Sequence, residues 1–113
     1  MVIGQGEIWW ADLRPEPAGR RPVLLLTRNS GYSYLNKFVA AEITSTVRHI
    51  ASEVTLGPAE GLPRDCVANC DNLRMVAKAS LTGRAGRLGP ERWIEVKRAM
   101  GAALGWRELT DLD

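Results

Sequence analysis

The chain has 113 residues, of which 45% are hydrophobic and 25% are charged, a balance that fits one globular domain over residues 1–113 and argues against disorder. Its apolar runs, such as residues 23–26, are far shorter than the roughly 20 residues that cross a bilayer. Residues 1–5 carry neither a basic nor an apolar leader segment. We therefore expect a cytoplasmic protein with no membrane partner.

The positive charge consists mostly of arginine. The net charge is only +2, but the sequence contains 12 arginines and three lysines. Arginine presents a planar fork of donors that matches phosphate, although a GC-rich genome would produce the same excess through codon usage. The arginine content therefore suggests phosphate recognition only where several arginines meet in one site.

Several common catalytic motifs are absent from the sequence, among them the phosphate-binding loop, the Gly-x-Ser-x-Gly elbow and the His-Glu-x-x-His zinc motif. The two cysteines, Cys66 and Cys70, and the lone His49 do not supply the four ligands of a structural zinc site. We therefore predict no metal and no cofactor. Both cysteines are expected to be reduced and mostly buried, and His49 to lie on a solvated loop.

Short β-prone segments fill the first 88 residues, and a helix follows them. The predicted strands span residues 7–13, 22–27, 38–44, 53–56, 66–76 (one or two strands) and 81–88. Residues 14–19 and 57–64 are predicted loops, and residues 29–36 a polar excursion. Pro90 fits the first position of a helix that Gly105 ends. Its apolar stripe is formed by Trp93, Val96, Met100 and Leu104.

Two features of these strands predict how they are buried. The continuous apolar run after Arg21 is typical of a strand that is covered on both faces. Neighbouring strand residues face opposite sides, so one of Trp9 and Trp10 should be buried and the other should lie on a rim or interface. Short strands followed by one helix predict a small, strongly bent antiparallel β-barrel with a helix packed on it.

The combination that suggests chemistry is Arg20-Arg21-Pro22 at the start of the second strand and Thr44 at the end of the third. RNA carries its own nucleophile, the 2′-hydroxyl, so an enzyme need only hold the strand, accept a proton and stabilise the developing charge. An arginine fork and a few hydroxyl or carboxyl groups suffice for this reaction. The alternative for Arg21 is a structural ion pair with Glu7 or Asp12.

The segments also resemble a known family. G-E-I-W-W-A-D-L, R-R-P-V-L-L-L-T, A-A-E-I-T-S and C-D-N-L-R, followed by an amphipathic helix, occur in the order found in the MazF/PemK/Kid toxins. The resemblance covers residues 6–104. It implies a type II toxin with an SH3-like antiparallel barrel of the CcdB/PemK type and a C-terminal amphipathic helix. It also implies a homodimer that a cognate MazE-like antitoxin inhibits.

The resemblance further implies metal-independent, sequence-specific cleavage of single-stranded RNA (mRNA, rRNA or tRNA) to a 2′,3′-cyclic phosphate and a 5′-hydroxyl. The family's arginine before proline falls on Arg21, the expected stabiliser of the transition state. Its threonine falls on Thr44, which would orient the phosphate or the 2′-hydroxyl. Its carboxylate falls on Asp71, a candidate proton acceptor.

The remaining site residues are predicted around this centre. Glu16 is a second candidate proton acceptor, in a loop that is shorter than in many family members. The predicted RNA contacts are Arg20, Arg48, Asn69 and Arg74, with Asn69 standing where some members have a basic residue. Either Trp9 or Trp10 could stack on a base.

Two alternatives to a nuclease stay open on the sequence alone. The first is a non-catalytic toxin that binds DNA gyrase in the manner of CcdB, with residues 106–113 as its binding tail. The second is a decayed toxin that is retained as a binding module.

Overall fold

A computed structural model describes residues 2–14 and 19–113 of the chain. Its strands are β1 (Glu7–Asp12), β2 (Arg20–Leu25), β3 (Lys37–Thr44), β4 (Glu53–Leu56), β5 (Cys66–Ala77) and β6 (Leu81–Arg87). Two helices follow, α1 (Trp93–Leu104) and α2 (Arg107–Thr110). The strands form one antiparallel sheet in the order β4-β5-β3-β2-β1-β6, which confirms the predicted strands to within a few residues.

The longest strand, β5, pairs with both β3 and β4, and the sheet curls along it. The register between β3 and β5 slips at one point, where Ala41 faces Leu73 but the next residue, Glu42, faces Asn69. Residues 70–72 therefore bulge out of the ladder, and a bulge bends a strand and increases its twist. The result is a half-barrel with β4 and β6 at its edges, closed by α1 and by loop 57–64. This confirms the predicted small β-barrel with a C-terminal helix.

Both faces of the sheet are buried, as the apolar run of β2 predicts. Leu24 packs with Ile8 in one cluster, which α1 covers. Val23 and Leu25 pack with Trp9 in a second cluster on the other face. Trp9 is 3% exposed, whereas Trp10 is only partly buried, so the prediction for this pair is confirmed.

Residues 29–36 differ from the prediction of a polar excursion. They contain a short 3-10 turn (Asn29–Gly31) and cover the second cluster with two side chains, Tyr32 and Leu35. The Tyr32 ring packs on Phe38 with 4.5 Å between ring centroids. Single apolar residues set among serines and glycines give no periodic signal, so this contact is visible only in the tertiary structure.

A 3-10 turn that starts at Pro90 precedes helix α1. The helix ends at Gly105, whose φ of 73° lies in the left-handed region. Trp93, Val96 and Met100 contact the first cluster, but Leu104 is 45% exposed and lies outside the core of the single chain. Residues 106–113, the tail required by the gyrase-binding alternative, fold back on α1, where the Arg98 Nε donates to the Leu112 carbonyl at 2.7 Å. Among the described residues, no helix is long and apolar enough to cross a membrane.

The two cysteines are free thiols and both are buried, as predicted. Burial raises the pKa of the Cys70 thiol to about 11 and also raises the pKa of Cys66. The neutral thiol is therefore the dominant form at neutral pH, which makes neither residue a candidate nucleophile.

Candidate active site

The register of β2 and β3 brings the two principal predicted residues together. Val23 pairs with Glu42, so continuing the antiparallel register by two residues places Arg21 opposite Thr44. Both residues are partly exposed and line the same surface depressions. The site therefore lies where these two strands part at the rim of the half-barrel.

Two adjoining depressions share Arg21, Thr44 and Thr46, and together we call them the groove. The larger has a volume of about 340 Å³ and is lined in addition by Trp10, Pro22, Ile43, Ser45, Leu62, Pro63, Arg64 and Cys66. The smaller has a volume of about 220 Å³ and is lined in addition by Glu42, Arg48, Asn69 and Asn72. Arginines outnumber carboxylates among the described residues of the groove, so it favours an anion.

Arg21 does not form the structural ion pair that was its alternative explanation. Asp12 is occupied by Arg14, with 2.6 Å between Nη2 and Oδ2, and Glu7 accepts the indole N–H of Trp9 at 2.9 Å. Within residues 2–14 and 19–113, the guanidinium of Arg21 has neither an ion pair nor a hydrogen bond. Its guanidinium therefore presents its donors to the groove.

The Thr44 hydroxyl is oriented by the backbone. Its Oγ1 accepts the N–H of Thr46 at 3.1 Å. This bond uses one lone pair of the hydroxyl and not its hydrogen, so the O–H can still donate to a ligand oxygen. An arginine fork and a hydroxyl donor thus lie on neighbouring strands in the same groove, an arrangement suited to a phosphodiester.

Glu53 fixes the loop that follows β3. Its carboxylate accepts the backbone N–H groups of Arg48 at 3.1 Å and of His49 at 3.0 Å. This holds Arg48 at the groove, where it is a predicted RNA contact. His49 is exposed and has a φ of 58°, which agrees with the predicted loop histidine.

Asn69 and Asp71 occupy different places, although they are two residues apart. Asn69 is buried beneath the smaller depression, and its Oδ1 accepts the backbone N–H of Asp71 at 2.9 Å. Asp71 lies in the bulge, where its Oδ2 accepts the Ser52 hydroxyl at 2.6 Å. The Asp71 carboxylate is not among the groups that line the groove.

Two further predicted residues, Arg74 and Arg20, do not line the groove. Arg74 contacts Glu42, with 3.1 Å between Nη1 and Oε2. Arg20 lies over the indole of Trp10 at 4.9 Å, and its Nε donates to the Thr82 hydroxyl at 3.1 Å. Glu16 falls outside the described residues.

Sequence reasoning missed Glu42, Thr46, Arg64 and Asn72 as groove residues. Glu42 carried a usable signal, because it is the only charged residue between Val39 and Thr44 and shares a strand face with Thr44. Asn72 and Arg64 reach the groove through a bulge and a loop, and neither feature has a periodicity that places its side chains.

The fold and the site together define a small half-barrel protein with a cationic groove for a phosphodiester. Residues 4–104 match the family model described as the PemK-like, MazF-like toxin of type II toxin–antitoxin systems. This match spans more than half of the sequence, so the chain belongs to that family, as the segment order predicted.

Relatives and solved structures agree with this placement. The chain is 36% identical over 112 residues to endoribonuclease MazF6 of Mycobacterium tuberculosis, an alignment that covers 92% of this chain and 98% of the relative. The structure of the M. tuberculosis toxin MazF-mt6 superposes with a TM-score of 0.81 at 32% identity, covering 88% of this chain and 96% of that one. A mycobacterial endoribonuclease solved with its cognate antitoxin gives 0.80 at 28% identity, covering 92% and 96%. These relatives bear out the predicted class of enzyme, an endoribonuclease.

Proposed function

We propose that the protein is the toxin of a toxin–antitoxin pair and cleaves single-stranded RNA without a metal ion, leaving a 2′,3′-cyclic phosphate and a 5′-hydroxyl. The observation that carries the proposal is the pair Arg21 and Thr44, which stand opposite each other on neighbouring strands and both line a cationic groove. The naming of the relatives as endoribonucleases supports RNA as the substrate.

The reaction requires that the 2′-oxygen attack the adjacent phosphorus while its proton is removed, and that the 5′-oxygen take up a proton from water as its bond to phosphorus breaks. Arg21 supplies an always charged fork to the phosphoryl oxygens, whose negative charge increases in the transition state. Thr44, on the neighbouring strand, donates a hydrogen bond to an oxygen of the same phosphate and so orients it. Arg48, at the smaller depression, contacts a neighbouring phosphate.

Glu42 is the carboxylate that we assign as proton acceptor. It lines the smaller depression beside Thr44, and its contact with Arg74 fixes the side chain. Asp71, the acceptor that the family resemblance implies, is directed instead to Ser52 and holds the bulge. Arg74 is then a positioning residue rather than a direct RNA contact.

Two partners complete the proposal. The mycobacterial endoribonuclease bound to its cognate antitoxin supports a MazE-like antitoxin for this chain, and the antitoxin would cover the same cationic groove. We also propose that the working form is a homodimer. The gyrase-binding alternative is not favoured, because the relatives are named endoribonucleases and residues 106–113 fold back on α1.

Cleavage in the absence of metal tests the function. Incubating the purified protein with a mixed-sequence single-stranded RNA in EDTA should give discrete fragments that end in a cyclic phosphate. A single 2′-deoxy substitution at a mapped cut should abolish that cut and leave the others, because it removes the nucleophile. Intact RNA at high protein concentration, or cutting at the 2′-deoxy position, would overturn the proposal.

The pH dependence of the cleavage rate tests the proton acceptor. We expect Glu42→Gln to lower kcat and to remove the rise of rate with pH on the acidic side, since an amide cannot accept the proton. Asp71→Asn, the matched control, should keep that rise. If Asp71→Asn loses it and Glu42→Gln keeps it, the family's carboxylate is the base and our assignment is wrong.

A further inference from the structure

The larger depression of the groove has walls of unlike character. Trp10 forms one wall, and Leu62 and Pro63 of loop 57–64 form another, with Ile43 and Cys66 contributing further apolar surface. Arg21 and Arg64 also line it, so cationic groups accompany an apolar pocket. Its volume of about 340 Å³ is that of a small-ligand site.

The loop wall is fixed by backbone contact with β6. A Cβ on Gly86 would lie 2.0 Å from the Glu60 carbonyl oxygen, and one on Gly61 would lie 2.1 Å from the Ala85 carbonyl oxygen. The two backbones therefore touch, which only glycine permits on each side. Leu62 is 4% exposed and anchors the loop in the first cluster.

Arg92 ties the same loop to the start of α1. Its guanidinium contacts Glu60, with 3.3 Å between Nη1 and Oε2, and donates to the Thr55 carbonyl at 2.6 Å. Glu60 in turn accepts the N–H of Gly57 at 2.7 Å. These contacts hold the loop up to Leu62, and Pro63 and Arg64 follow directly from this anchored part.

The opposite wall is also held in place. The Arg20 guanidinium lies 4.9 Å from the centre of the Trp10 ring and is itself bonded to Thr82, so the indole is fixed by a cation–π contact. A fixed, partly exposed aromatic ring beside a cationic groove is the usual platform for a nucleobase of a single strand.

We propose that this pocket binds the nucleobase next to the scissile phosphate, between Trp10 and Pro63, and that Arg64 contacts the phosphate on the far side of that base. The inference rests on the proposed ribonuclease function. A single strand of RNA alternates a flat, largely apolar base with a charged phosphate. The pocket offers an apolar space between Trp10 and Pro63, which we call the slot, together with two arginines. Because Arg21 and Thr44 belong to both depressions, the scissile phosphate sits at the mouth of the slot. The walls of the slot therefore contribute to the choice of cleavage sequence.

Removing one base from the RNA and removing the indole of Trp10 from the protein should each lower kcat/KM by a similar factor. The two losses should not add when both changes are made together. In an RNA with one mapped cut, an abasic nucleotide is placed at each position near that cut. At one position next to the cut, we expect kcat/KM of the wild type to fall by about 5- to 150-fold, the value of one stacked base. Trp10→Ala should show a similar loss on the intact RNA and almost no further loss on that abasic RNA.

Trp106→Ala is the matched control, since Trp106 is 54% exposed and lies outside the groove. Thermal unfolding of each variant separates loss of the pocket from loss of the fold, and Trp10→Phe should recover most of the activity by keeping a stacking face. If the wild type cleaves RNA but the loss caused by Trp10→Ala adds to the loss at every abasic position, the proposed base pocket is wrong. The proposed ribonuclease function is unaffected by that result. If the wild type does not cleave RNA, the proposed function itself fails.

The phosphate contact of Arg64 has its own signature. With an RNA made uncleavable by a 2′-deoxy group at the cut, Arg64→Ala should reduce the slope of log affinity against log salt by about 0.7, the value for one phosphate on a single strand. Arg107→Ala, whose side chain is 89% exposed on α2, should leave the slope unchanged. An unchanged slope in Arg64→Ala, or affinity lost only for the antitoxin and not for RNA, would refute the contact and assign the slot to a protein segment.

Discussion

Arg21→Ala should lower kcat for RNA cleavage by about 10²- to 10³-fold, the usual effect of removing one fixed donor to a developing oxyanion. The free guanidinium of Arg21 in the described chain implies that the substitution breaks no structural ion pair. The thermal unfolding temperature should therefore stay close to that of the wild type. Arg21→Lys should recover only part of the rate, because it restores the charge without the planar fork. Single-turnover cleavage of one mapped RNA measures the rates of Arg21→Ala and Arg21→Lys.

The control for Arg21 is Arg107→Ala, which removes the same charge from an exposed position on α2. We expect its rate to match the wild type, so that a loss in Arg21→Ala cannot come from net charge alone. Cleavage by Arg21→Ala at the wild-type rate would remove this residue from the mechanism and leave the groove without its principal cation.

Gly86→Ala should be the most disruptive of the small substitutions in β6. The new methyl group would lie 2.0 Å from the carbonyl oxygen and 2.8 Å from the carbonyl carbon of Glu60, and both belong to the backbone. Loop 57–64 must therefore move away from the sheet. We expect the free energy of unfolding to fall by about 1–3 kcal/mol, the range for an overpacked site. Urea unfolding monitored by circular dichroism measures this change.

Gly83→Ala is its matched control, in the same strand with no atom within 4 Å of the added carbon. There the free energy of unfolding should change by less than about 1 kcal/mol, because the substitution mainly restricts the unfolded chain. Gly86→Ala should also reduce RNA cleavage at temperatures where it remains folded, since the loop that carries Pro63 and Arg64 is displaced. Equal unfolding free energies for the two variants would show that the loop is not held by this contact.

The parts of the fold that follow from local pattern were predictable. The unbroken apolar run after Arg21 identified a strand buried on both faces, because alternate residues of such a strand enter opposite cores. Pro90 and Gly105 marked the ends of the helical segment through their restricted and permissive φ angles. Arg21 and Thr44 stood out as polar residues at the ends of apolar strands, and the segment order pointed to the family.

The remaining parts depend on contacts between distant segments. Because the register between β3 and β5 slips by three residues, Asp71 lies at Ser52 rather than in the groove. The sequence of β5 has no periodic feature that predicts this slip. The burial of Tyr32 also could not be predicted, because the polar segment around it has no periodic pattern of apolar residues. Arg64 enters the site only because loop 57–64 is docked on β6 through two glycines.

The sequence by itself therefore determined the elements, their burial and the pair Arg21 and Thr44, since these depend on neighbouring residues and on strand ends. Only the tertiary structure decided that the Asp71 carboxylate lies outside the groove and that loop 57–64 lines it, because register, bulges and backbone-to-backbone contacts are set by long-range packing. Glu42 lies beside Thr44 because alternate residues of one strand share a face, whereas that packing keeps the Asp71 carboxylate at Ser52 and out of the groove.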